Sequence, residues 1–139
     1  MELADTSVWA LSRRSDQAGL RAWFDDSVEE GEIATCDMVR LELLYTARNA
    51  GEFDKVREGL AALPDSPIGK PQWERALDVY RSLAAQGGSH QRAVRHADLL
   101  IAAAAEASGL TLVHYDGDFD RIAAVTGQST RWAIPRGSA

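Results

Sequence analysis

Apolar and polar positions fall in blocks along this chain, and the period changes from block to block. Leu3 and Ala4 are a short apolar pair, and residues 2–4 read as a buried strand that ends at Asp5. Residues 8–12 read as a short helix. Leu20, Trp23, Phe24 and Val28 recur at helical spacing and predict a helix over 17–30, with Ser15 or Asp16 placed to cap it and Gly31 to end it. Ile33 and Ala34 centre a second strand, 32–35. A helix over 38–49 follows, closed at Gly51, and another over 53–63 stops at Pro64. Pro64 and Pro67 flank a stretch, 65–70, that reads as a short edge strand. Pro71 suits the first turn of a helix over 72–86, where Trp73, Ala76, Leu77, Tyr80 and Leu83 share helical spacing. Gly87-Gly88-Ser89 is a break, and 90–96 is a polar, basic loop. Residues 97–105 are apolar almost all round, as in a helix buried on most sides. Gly109 closes that helix. Leu112 and Val113 centre a strand over 110–114, a helix over 119–125 ends at Gly127, and 130–133 reads as a last edge strand.

This alternation predicts one α/β domain over 1–139, with a central, mostly parallel sheet of four to five strands and helices on both faces. The 139 residues are enough for a real core, and 45% hydrophobic with 26% charged residues is ordinary for a soluble globular chain. No apolar run is long enough to span a bilayer, and the N-terminus lacks the basic region and apolar core of a signal peptide. The single cysteine, Cys36, excludes an internal disulfide and a cysteine-based zinc site, which fits the cytoplasm. A net charge of −6 argues against non-specific nucleic-acid binding by the whole surface. Local arginines remain available for phosphate; Arg13, Arg14, Arg40, Arg92 and Arg95 are candidates, each of which can equally be a solvated side chain.

Four acids stand in apolar settings. Asp5 follows the first strand and Asp116 follows the strand over 110–114, and the carboxyl edge of an open α/β sheet is where ligands bind. Glu42 shares a helical face with Met38, Val39, Tyr45 and Thr46. Asp98 opens the most apolar helix, above Ile101 and Ala102. Asp5 and Asp98 each have a simpler reading, as an N-cap and as a complement to the helix dipole. Four such carboxylates cannot gather as bare charges, because like charges raise one another's pKa. A hard divalent cation, Mg²⁺ or Mn²⁺, resolves the conflict and supplies hydrolytic chemistry at a phosphate.

The spacing resembles the PIN-domain ribonucleases, and among them the VapC toxins of type II toxin–antitoxin pairs. The resemblance spans nearly the whole chain. It is carried by Leu3-Ala4-Asp5-Thr6-Ser7, by Arg40-Leu41-Glu42-Leu43-Leu44, by Ala97-Asp98-Leu99-Leu100-Ile101-Ala102-Ala103 and by His114-Tyr115-Asp116-Gly117-Asp118-Phe119-Asp120. It implies a Rossmann-like, three-layer PIN fold and Mg²⁺- or Mn²⁺-dependent cleavage of RNA. Asp5, Glu42, Asp98 and Asp116 would be the acidic quartet. Asp5 and Asp98 would be direct ligands, Asp116 direct or through water, and Glu42 would orient water or hold a second cation. Asp118 competes with Asp116 for the metal; Asp116 is favoured as nearer the strand end. Thr6 or Ser7 would fix Asp5 or a bound water, and His96 is a candidate for the surrounding shell. The resemblance also implies a homodimer and a VapB-type antitoxin that covers the active-site groove and offers the carboxylates a basic side chain.

Two other readings compete. A response-regulator or phosphatase domain needs an acidic pair after the first strand, or a second Asp two residues after the first; Ser7 stands there instead. A non-catalytic interaction module would use the same acids only as caps and surface charge.

Overall fold

The computed structural model describes residues 1–88 and 90–139; Ser89, part of the expected break at Gly87-Gly88-Ser89, lies outside the described residues. Four strands form one sheet in the order β2-β1-β3-β4: β1 Glu2–Ala4, β2 Ile33–Ala34, β3 Thr111–His114 and β4 Thr130–Trp132. All three pairings are parallel, with Leu3 opposite Leu112 and Ala4 opposite Val113. The chain steps from β1 to β2 on one side, then crosses back to place β3 on the other side of β1. The gap between β1 and β3 is therefore the topological switch point, where the carboxyl strand ends open a crevice. Among the described residues eight helices cover the sheet: α1 Thr6–Ser12, α2 Ala18–Glu29, α3 Asp37–Leu44, α4 Ala50–Ala61, α5 Lys70–Ala85, α6 His90–Ala93, α7 His96–Ala107 and α8 Asp118–Thr126.

The continuous apolar character of the strands follows from burial on both faces. Leu3 and Leu112 point into a core formed with α5, α7 and α8, while Ala4, Ile33 and Val113 point into a second core with Val8 and Phe24. Every residue of α7 from Asp98 to Ala105 is buried. Its run of small alanines lets a helix lie close to neighbours on several sides, which explains why it shows no polar stripe.

Several boundaries differ from the sequence pattern for local reasons. The helix expected over 38–49 ends at Leu44, because Asn49 takes the extended conformation of an N-cap and its side chain accepts from Glu52 N–H at 2.9 Å. That cap starts α4 at Ala50 rather than 53, with Gly51 inside its first turn. The expected edge strand over 65–70 is reduced to one bridge between Thr35 and Asp65, since Pro64 and Pro67 offer the sheet no N–H. The expected loop over 90–96 contains the single turn α6. The last helix begins at Asp118 rather than 119, and the Asp116 carboxylate accepts the Asp118 N–H at 3.0 Å. No helix among the described residues is long and apolar enough to cross a membrane.

Candidate metal centre

The switch point delivers two acids from strand ends. Asp5 N–H donates to Val113 O at 3.0 Å, which carries the ladder one residue past β1. Asp5 is also the N-cap of α1, with Oδ2 accepting from the Ser7 N–H at 3.1 Å and the Ser7 hydroxyl at 2.5 Å. Ser7 Oγ accepts in turn from Tyr115 N–H at 2.9 Å, so one hydroxyl ties the end of β1 to the end of β3. The cap and ligand readings of Asp5 are thus compatible. Oδ2 caps the helix, while Oδ1 is buried with no hydrogen-bond partner. Burial raises the Asp5 pKa against the lowering effect of Ser7, and Glu42 raises it further.

Asp98 comes from the first turn of α7 and is fully buried. Its carboxyl is pushed up to about 7, chiefly by burial; Arg95 opposes the shift, and Asp5 and Asp116 reinforce it. Asp116 and Asp118 approach from the β3–α8 turn. Oxygens of Asp98, Asp116 and Asp118 lie within 4.8 Å of one another. Asp118 is raised too, by burial first and by Asp116 second. Behind them His114 accepts from Asp116 N–H at 3.2 Å through Nδ1 and packs on Phe119, which fixes the turn. Glu42 reaches the rim from α3, its side chain 20% exposed, and accepts from the Thr6 hydroxyl at 2.8 Å. Arg95 bridges the rim to the interior, donating to Asp98 at 2.7 Å and to Glu42 at 3.3 Å.

Of the acids expected at the site, Asp98, Asp116 and Asp118 form the tightest group, within 4.8 Å; Asp5 lies outside that group but near enough to raise the Asp98 pKa, and Glu42 is tied to Asp98 through Arg95. The two hydroxyls divide their work: Ser7 holds Asp5 and Thr6 holds Glu42. His96 is a correction. Its ring packs edge-on to Tyr80 at 5.5 Å, away from the acids, because side chains two apart on a helix face different ways. Tyr45 and Thr46 do not share a buried face with Glu42 either, since α3 has ended; Tyr45 is 90% exposed. Arg95, a phosphate candidate by charge, stands three residues before Asp98, a helical spacing that brings its guanidinium to that carboxylate. Of the other candidates, Arg13 pairs with Asp25, Arg14 with Asp16 at 2.6 Å and Arg40 with Asp65 at 2.8 Å, while Arg92 is exposed on α6.

An all-oxygen set with a buried, unpartnered carboxylate oxygen fits a hard divalent cation. A caged bare charge at Asp5 Oδ1 is otherwise costly.

A fold and crevice of this kind define a class. The PIN domain family matches residues 3–125, and the chain belongs to that family. Within it the chain stands among the VapC ribonucleases. It is 45% identical to Ribonuclease VapC18 of Mycobacterium tuberculosis over 134 residues, covering 96% of each chain. It is 40% identical to Ribonuclease VapC51 of the same organism, covering 98% of this chain and 95% of that one. Among solved structures, the DNA-bound VapBC from Salmonella typhimurium superposes with a TM-score of 0.73 at 18% identity, covering 96% of this chain and 100% of that one. FitAB bound to an IR36 DNA fragment gives 0.70 at 18% identity, covering 96% and 95%. At that identity the likeness is one of fold.

Proposed function

We propose that this chain is the toxin of a type II toxin–antitoxin pair and cleaves RNA with Mg²⁺ or Mn²⁺ held by Asp5, Asp98 and Asp116, with Asp118 and Glu42 adjoining. The observation that carries the reading is the meeting of Asp98, Asp116 and Asp118 within 4.8 Å, beside the unpartnered Oδ1 of the buried Asp5. Bound there, a divalent ion supplies Lewis-acid polarisation of a phosphoryl oxygen and acidifies water. The protein's part is preorganisation. Ser7 holds Asp5 with one oxygen free, the Asp118 N–H holds one oxygen of Asp116, and Thr6 holds Glu42 at the rim, where it can orient a water or a second cation.

A cleft of about 530 Å³, lined by Trp9, Phe24, Leu43, Val56 and Leu60, runs up to Thr6 and Glu42. It suits an apolar segment of a VapB-type antitoxin laid toward the acids. A homodimer would use the opposite apolar face, where Trp73 is 52% and Leu77 65% exposed beside Tyr80 and Leu99. The cytoplasm is the compartment this reading implies.

The experiment is to map new RNA 5′ ends after brief induction in cells. The wild type is expected to produce a discrete set of ends with growth arrest, and Asp5→Ala neither. Equal ends from both proteins would overturn the reading and favour an interaction module whose acids are caps.

A further inference from the structure

Among the described residues two arginines touch the acids of the site, and they do so differently. Arg121 reaches only Asp118, at 3.4 Å from its own helix. Arg95 reaches acids on two helices. It precedes α7 with an extended backbone, φ −70° and ψ 148°. Its Nη2 donates to Asp98 Oδ1 at 2.7 Å and its Nε to Asp98 Oδ2 at 3.3 Å, the fork-on-carboxylate arrangement that only arginine makes. Its Nη1 donates to Glu42 Oε2 at 3.3 Å, while Thr6 holds the other Glu42 oxygen. Among the described residues, Arg95 is the one side chain hydrogen-bonded to both Glu42 and Asp98. The exposures are unequal: Asp98 is 0% exposed and the Arg95 side chain 55%. The acid is enclosed, and the cation at its side reaches water.

We propose that Arg95 is a positioning residue that acts as the resident counter-cation of the site, holding Glu42 to Asp98 while the site is metal-free and giving up Asp98 to an arriving divalent cation. This rests on the metal-nuclease reading above. Both Asp98 oxygens are engaged by the guanidinium, and a cation on the same carboxylate must displace part of that fork. The two positive groups also repel at such range. Removing Arg95 therefore has effects of opposite sign on two measurable quantities. The metal-free fold loses the partner of a buried carboxylate, and the metal loses a competitor.

The test uses the purified full chain, freed of any bound partner, as wild type, Arg95→Gln and Arg95→Lys. Mn²⁺ affinity is measured by calorimetry at pH 7.5, and the urea midpoint is measured in EDTA. Arg95→Gln is expected to lower the Mn²⁺ Kd at least tenfold while also lowering the urea midpoint. Arg95→Lys keeps the charge without the fork and is expected to fall between the two. A merely structural arginine would lower the midpoint and leave Mn²⁺ binding unchanged or weaker, and that result overturns the inference. If Arg95→Gln does not fold, Arg95→Lys decides: tighter binding than wild type supports the inference, and unchanged or weaker binding overturns it. Should the wild type itself bind no Mn²⁺, the metal reading fails and takes this inference with it. If the wild type binds and the variants do not tighten, this inference alone fails.

Discussion

Replacing Asp98 by Asn should make the metal-free protein more stable at alkaline pH, although Asp98 is fully buried and hydrogen-bonded. The carboxyl titrates at about 7 in the fold against an ordinary 3.8, mainly because burial disfavours its charge more than Arg95 favours it. The folded pKa is raised, so between about pH 4 and pH 7 the native state holds a proton that the unfolded chain releases. Stability contributed by the neutral form is fully present below pH 4 and is lost as pH rises through 7. Three pH units at 1.36 kcal/mol each set a ceiling of about 4 kcal/mol on the penalty above pH 7. Asparagine removes the charge, keeps the shape and still offers Arg95 an acceptor oxygen. Urea unfolding in EDTA is expected to give similar midpoints for the two proteins near pH 4, and an advantage of about 2–4 kcal/mol for Asp98→Asn at pH 8, with unchanged m. Excess Mn²⁺ should cancel most of that advantage. At 100 times Kd the wild type gains about 2.7 kcal/mol by mass action, and the variant gains little. If Asp98→Asn is less stable at pH 8 without metal, or its advantage does not vary with pH, Asp98 is not a charge held against its solvation and the reasoning fails.

Ser7→Ala should cost about 1–3 kcal/mol in urea unfolding, because it removes a donor to Asp5 and leaves the Tyr115 N–H without its acceptor. A midpoint equal to wild type would show that the hydroxyl tie between β1 and β3 is replaceable by water. The thiol of Cys36, fully buried and pushed up to about 11 chiefly by burial, should resist aromatic disulfide reagents at pH 8 in the native protein and react with one equivalent in urea. Leu77→Glu on the exposed face of α5 should shift the mass measured by light scattering from dimer to monomer while leaving the circular dichroism spectrum unchanged; a wild-type monomer would remove that face from the account.

The elements with strong periodicity were legible without coordinates. The two-sided burial of β1 and β3 appears as the adjacent apolar pairs Leu3-Ala4 and Leu112-Val113, and that of α7 as a helix with almost no polar face. Asp5 and Asp116 could be placed because strand ends follow from those runs. Boundaries set by side-chain competition were harder. Asn49 reads equally as the end of α3 or the cap of α4, and only its bond to Glu52 decides. The same limit hid the roles of the acids. Whether Asp116 or Asp118 faces the crevice depends on one backbone turn, and in the structure both bring an oxygen within 4.8 Å of Asp98. His96 lies two residues before Asp98, a spacing that a helix turns to different faces, and its ring packs on Tyr80. Asp120 accepts from Trp132 Nε1 at 3.2 Å and lies 4.0 Å from His114, a contact between β4, α8 and β3 that no local pattern carries.

The central claim, that these carboxylates make the chain a metal-dependent ribonuclease, is tested most directly by incubating purified, partner-free protein with RNA in Mn²⁺ and in EDTA, beside Asp5→Ala whose folding has been verified. Cleavage at discrete sites by the wild type in Mn²⁺, abolished both by EDTA and by the substitution, is the predicted result. Cleavage that persists in EDTA, or that Asp5→Ala performs as well as the wild type, would contradict it.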